Sequence, residues 1–390
     1  MKRILSLLLC LCLLTPAVAL AQETDTEQLD KTFGNIFKRY KTTGAVLTIA
    51  KDGEIVYQLN YGYTDKKAGE TVTDDTYFRL ASVTKMITGM HVMQLVEQGK
   101  LDLDADISDY FGYTIRNPHF RKDPITLRQL MSHTSSIYAG GGYVNDPDGY
   151  IWKMLSLERS RVANFYKHRP GSKYAYSNFG AGLMGSLIEI ATGKNFGQSV
   201  EEGLFAPLGI DAAYNVNLLD APEKITNLYS EEGRLRTTKN NYLKRAWDDS
   251  VNPEYHFKYT AGALWMRGED LCRLGIMMTQ GGTVDGVTIL QPDTVYEMMS
   301  SQEGKPGVTC DSKYGLCVYR KSELLKDRIV YGHQGMREGV VAGLFFDPES
   351  QLVFSLITNG SDSRMDNYMT IIIRKLFALT WEKFGDPAVK

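Results

Sequence analysis

"VVAGLFFDPESQLVFSLITN", Val340 to Asn359, is two β-rich runs around the turn residues Asp347-Pro348-Glu349-Ser350. Branched and aromatic runs on either side of a turn cluster predict an antiparallel hairpin. A matching hairpin lies near the other end of the chain. There "GAVLTIAKDGEIVYQLNYGYTD", Gly44 to Asp65, alternates and carries Asp52-Gly53 between its two runs. The clear elements between these ends are helical, over 83–98, 126–132, 179–192, 196–206 and 268–280. "EQLDKTFGNIFKRY", 27 to 40, has the spacing of a first helix. "MDNYMTIIIRKLFALTWEKFG", 365 to 385, reads as a last helix with an apolar stripe. Strands from both ends and helices from the middle predict an α/β plus α fold. It has an antiparallel sheet from both termini, flanked by helices, with a mostly helical domain inserted. The expected division is 22–105 with 301–390 as the α/β domain and 106–300 as the insert, with an active-site cleft between them. The loop "IYAGGGYVNDPDGY", 137 to 150, is long enough to read as functional or lid-like.

The chain opens with Lys2 and Arg3, then the apolar run "ILSLLLCLCLL", then small residues ending in Ala19-Leu20-Ala21. This predicts a secretory signal peptide over 1–21, cleavage near Ala21, and a periplasmic or secreted protein. No later run reaches the roughly 20 apolar residues of a spanning helix, so no stable membrane insertion is expected. The formal charge of −2 becomes about −4 without Lys2 and Arg3, and acids and bases are mixed throughout. No basic stripe points to nucleic acid. Three cysteines remain, Cys272, Cys310 and Cys317. They are too few for a disulfide scaffold. Cys310 and Cys317 are close enough to pair or to stay as two small, partly buried residues. No Cys/His cluster has metal-ligand spacing, no glycine-rich phosphate loop occurs, and no GxSxG elbow occurs. No cofactor and no metal are expected. The partner expected is a small-molecule or peptide substrate.

Three short segments carry chemistry in combination. "FRLASVTKMITG", Phe78 to Gly89, sets Ser82 and Lys85 three residues apart at a helix start. Residues i and i+3 share a helix face, so the amine can approach the hydroxyl. A serine hydroxyl is a weak nucleophile without a base, and lysine is a base only when neutral. The same pair also suits polar residues at a helix end. Met86, Met90 and Met93 follow at core spacing. The second segment, "RPGSKYAYSNFGAGLMGSLIEIATG", places Tyr176-Ser177-Asn178 between a Pro-Gly turn and an apolar helix. Tyr176 suits proton transfer or an interface, and Asn178 a substrate contact or a helix N-cap. The third is "VYGHQGMREG", with His333-Gln334-Gly335 on a predicted strand. There the N–H groups of Ser82 and Met336 could form an oxyanion hole.

S-x-x-K, Y-S-N roughly ninety residues on, and H-x-G roughly 150 beyond resemble the serine β-lactamase and penicillin-recognising D,D-peptidase superfamily. The likeness is to the branch of class C β-lactamases, D-aminopeptidases and related serine esterases. "YFRLASVTK", "GKLDLDADISDYF", "ITLRQLMSHTSSI", "LFAPLGI" and "GALWMRGEDLCRLG" resemble segments of that branch in its order, covering about 30 to 380. The resemblance implies a β-lactamase/transpeptidase-like fold. It implies Ser82 as acylated nucleophile, Lys85 as general base, and Tyr176 sharing that role and protonating the leaving group. Asn178, His333, Gln334 and Gly335 would contact substrate, with Arg337 as a carboxylate contact. Arg337 equally suits an ion pair with Glu338. The expected activity is an exported serine hydrolase cleaving an amide or ester. The alternatives are a class C-like β-lactamase or D,D-carboxypeptidase, and a binder of penicillin or cell-wall peptides without turnover. The chain departs from the class C pattern where His333 and Gln334 replace lysine and threonine. It also carries Ser135-Ser136 where the family usually has Ser-Gly. His133, in that segment, reads as structural.

Overall fold

The computed structural model describes residues 26–138, 150–159 and 162–385. The leader over 1–21 and most of the loop 137–150 lie outside the described residues.

A seven-stranded antiparallel sheet is the frame. Helix α1 spans 26–39. Strands β1 (Gly44–Lys51), β2 (Glu54–Asp65) and β3 (Glu70–Thr71) come from the N-terminal part. Strands β4 (Tyr319–Leu325), β5 (Arg328–Arg337), β6 (Val340–Asp347) and β7 (Leu352–Thr358) come from the C-terminal part. Their order is β4-β5-β6-β7-β1-β2-β3, so β1 and β7 join the two ends of the chain. Both hairpins expected from sequence form. Asp52 and Gly53 both take positive φ (54° and 87°), the geometry of a two-residue type I′ turn.

Period-two alternation splits the sheet's residues between two cores. Leu47, Ile49, Phe345, Phe354 and Leu356 face α1 and the last helix, α5 (Ile371–Phe384). Val46, Leu344, Val353 and Ile357 face the helical side. There α4 (Gly268–Thr279) lies on the sheet. A Cβ on Gly275 would stand 2.4 Å from Val353 Cγ1, so the missing side chain permits the approach.

The helical side centres on α2 (Thr84–Glu97), in which every residue from Thr84 to Leu95 is buried. Met86, Met90 and Met93 are core, as their spacing implied. The apolar α3 (Asn178–Thr192) packs against it. The C-terminal segment differs from expectation. Helix begins only at Ile371, because Met365–Asp366 and Met369–Thr370 pair as a small hairpin. Asn367 and Tyr368 adopt positive φ at its turn.

Candidate active site

Ser82 lies in a 3-10 turn, Ala81–Val83, directly before α2. Ala81 is held in the left-handed region (φ 46°), an uncommon place for a residue with a Cβ. The turn presses on β5, where Gly335 provides the space. A Cβ there would stand 2.5 Å from Leu80 O and 2.7 Å from Ser82 N. Backbone meets backbone at the proposed nucleophile, and the peptide following Gly335 supplies the Met336 N–H. Ser82 and Met336 are half-buried.

Lys85 sits one turn along, with Nζ 3.0 Å from Ser82 Oγ. Nζ also donates to the Ala261 carbonyl at 2.6 Å. The side chain is fully buried, and no carboxylate pairs with it among the described residues. Desolvation therefore dominates and pulls its pKa from 10.5 down to about 7. Near neutrality much of Lys85 is the free amine, able to take the Ser82 proton. Tyr176 presents its ring 5.2 Å from Nζ. It directly precedes Ser177, the N-cap of α3, whose Oγ accepts from Gly180 N at 2.9 Å. The cap considered for Asn178 thus falls to Ser177. Asn178 is the first helical residue and is half-buried.

His333 is fully buried. Its ring packs 4.7 Å from that of Tyr319 and 6.5 Å from that of Tyr176. Nδ1–H donates to Gln334 O at 2.6 Å, and Nε2 accepts from the Tyr314 hydroxyl at 2.9 Å. Burial, then the charge of Lys85, push its pKa down to about 3, so it is neutral at working pH.

Gln334 corrects the sequence reading. Alternation on β5 sends its side chain away from Gly335's face. Its amide donates to Tyr368 O at 2.6 Å and accepts from Thr370 N at 3.1 Å, pinning the small C-terminal hairpin. Arg337 is exposed, with Nε 3.5 Å from Glu338 Oε1, the ion-pair alternative. Both line an 840 Å³ cavity with Met336, Ser230, Glu231 and Arg236.

Two contributors carry no signal in the sequence. Tyr314 is one of 23 tyrosines in an irregular segment, and nothing local marked it as the partner of His333. The Ala261 carbonyl carries no side-chain signal at all. His133, which reads from sequence as structural, has its ring centroid 4.2 Å from that of Tyr176. Cys272, Cys310 and Cys317 are free thiols, and Cys317 Sγ lies 3.6 Å from Met184 Sδ. Ser136 takes φ 61° where the family's glycine would stand. Its hydroxyl accepts from the Asn117 amide at 2.9 Å, which holds that conformation.

A buried lysine against a serine hydroxyl, with a tyrosine beside them, defines a site of the serine-nucleophile type. The profile of the family described as Beta-lactamase matches residues 29–377, and the chain belongs to that family. Esterase EstB of Burkholderia gladioli is 33% identical over 201 residues, covering 47% of this chain and 50% of EstB. The chain thus spans about half the length of the curated relatives it matches. Two solved structures share the fold. The octameric penicillin-binding protein homologue from Pyrococcus abyssi superposes with TM-score 0.71 at 21% identity, covering 94% of this chain and 79% of that one. The D-amino acid amidase from Ochrobactrum anthropi SV3 gives 0.68 at 20% identity, covering 92% and 99%.

Proposed function

We propose that the protein is an exported serine hydrolase that cleaves an amide or ester through an acyl-enzyme on Ser82. The observation that carries this reading is Lys85 Nζ, 3.0 Å from Ser82 Oγ, with burial holding its pKa at about 7. Neutral Lys85 takes the hydroxyl proton as Oγ attacks the substrate carbonyl. The N–H groups of Ser82 and Met336 stabilise the developing oxyanion. The proton then reaches the leaving amine or alcohol through Lys85 and Tyr176. Water then attacks the carbonyl of the Ser82 ester, its proton passes through Tyr176 and Lys85 to Ser82 Oγ as the acyl–Oγ bond breaks, and the carboxylic acid leaves. Asn178, half-buried at the start of α3, would contact the substrate.

The neutral, enclosed His333 favours esters and peptide or D-amino-acid amides over β-lactams, whose carboxylate calls for a fixed cation on this strand. The similarity to EstB and to the D-amino acid amidase supports the same substrate classes.

Intact mass and turnover should be followed with a short-chain aryl ester, a D-aminoacyl amide, a penicillin and a D-Ala-D-Ala peptide. We expect a covalent adduct on the wild type with one of these, and none on Ser82→Ala. Full activity in Ser82→Ala would reject the mechanism. Fast β-lactam turnover with a slow ester would reverse the substrate ranking. N-terminal sequencing of the exported protein is expected to begin near Gln22.

A further inference from the structure

The segment after the 127–131 helix lies beside the stretch that carries Tyr176, and His133 meets it through its carbonyl, its ring nitrogen and its ring face. Its carbonyl accepts from Ala175 N at 2.8 Å. Its Nδ1 accepts from Ser177 N at 3.2 Å. Its ring faces that of Tyr176, with centroids 4.2 Å apart and planes inclined at 41°. One residue therefore grips the peptide on each side of Tyr176 and the phenol ring between them. His133 is itself held in the left-handed region, φ 56°, a conformation uncommon for a side chain with a Cβ.

The bond to Ser177 N also sets the tautomer. Nδ1 must be the acceptor, so the neutral ring carries its proton on Nε2. That Nε2 is buried and has no hydrogen-bond partner among the described residues. Burial first, then the charge of Lys85, oppose a charge here and hold the pKa well below 6.5. A neutral ring supports Tyr176 without adding a cation beside Lys85.

We propose that His133 is a positioning residue, fixing Tyr176 against Lys85 through the Ser177 N–H bond and the ring contact. The proposal rests on the acyl-transfer reading of Ser82, Lys85 and Tyr176. Displacement of a catalytic group by about 1 Å commonly costs on the order of 100-fold in rate.

Two variants separate the contacts. His133→Asn keeps an acceptor at the δ position and loses the ring. His133→Phe keeps the ring and leaves Ser177 N unsatisfied. Active sites would first be counted by acylation measured by intact mass, so that misfolded protein does not enter the rate. Per titrated site, His133→Phe is expected to lose roughly 10- to 100-fold in kcat with KM changed less than about threefold. His133→Asn should recover part of that loss. In a Tyr176→Phe background, His133→Phe should cost little more, because its effect passes through the tyrosine. A normal kcat per titrated site in His133→Phe would overturn the proposal. So would losses that multiply fully in the double variant. Failure of the underlying reading is separate: it would show as activity surviving Ser82→Ala.

Discussion

At the scale of residues, the site turns on one desolvated amine. The approach of Lys85 to Ser82 was legible because three-residue spacing at a helix start is a local fact. Lys85's lowered pKa was not, because it depends on burial by elements far away in sequence. It has two measurable consequences. With the neutral amine as the proposed base, log kcat/KM for a non-ionising ester should climb with unit slope below about pH 7 and level off above it. A flat profile from pH 5 to 9 would remove Lys85 as base. The second consequence is on stability. The folded pKa lies below the unfolded 10.5, so between about 7 and 10.5 the unfolded chain binds more protons. Stability therefore rises with pH across that window, and the cost, a few kcal/mol in order of magnitude, is fully present below it. Lys85→Met should lose at least about 1,000-fold in rate, since it removes the proposed base outright. It should also raise Tm relative to wild type more at pH 6 than at pH 10. An equal Tm difference at both pH values would contradict the buried, low-pKa amine. Gly335 gives a steric test at the same scale. Both atoms that a Cβ would meet, Leu80 O and Ser82 N, are backbone and cannot swing aside. Gly335→Ala should push β5 off the Ser82 turn and lower kcat about 100-fold while the protein stays folded by circular dichroism. Unchanged kcat would show that this contact does not shape the site.

At the scale of elements, periodicity read well and partnership did not. The helix at 83–98 and both hairpins follow from spacing and turn residues inside each segment. Tyr314 reaches His333 across 19 residues, His133 reaches Ser177 across 44, and the Ala261 carbonyl reaches Lys85 across 176, all beyond the period of a helix or a strand. Gln334 shows the same limit. Its place beside His333 suggested a substrate contact, but adjacent strand residues face opposite ways. The C-terminal segment 365–385 carried helical spacing throughout, yet its first residues form a hairpin because Gln334 holds Tyr368 O and Thr370 N. Gln334→Ala should leave both groups unsatisfied and destabilise the fold by about 1–3 kcal/mol in urea unfolding. Its KM for ester should stay within about threefold of wild type. A large KM change with unaltered stability would return Gln334 to the substrate.

At the scale of the whole molecule, the topology makes the two ends of the chain depend on each other. β1 is flanked by β2 on one side and β7 on the other, so the sheet closes only when residues about 300 apart in sequence pair. Pairing of that range is slow to form and leaves unpaired strand edges until it does. The helices α1 and α5 then cover the face that carries Leu47, Ile49, Phe345, Phe354 and Leu356. α5 contributes Ile372, Ile373, Leu376 and Phe377, all essentially buried. Each large apolar side chain buried is worth about 1.5–3 kcal/mol, so these four together rival the 5–15 kcal/mol of a typical domain. Ending the chain at Thr370 should therefore strip that face and give protein without a cooperative thermal transition, recovered mainly as aggregate. The distant Ser82–Lys85 pair should fail with it, since β5 and its Gly335 belong to the same sheet. A soluble, active protein ending at Thr370 would mean that the helical side and α1 stabilise the sheet without its C-terminal cover.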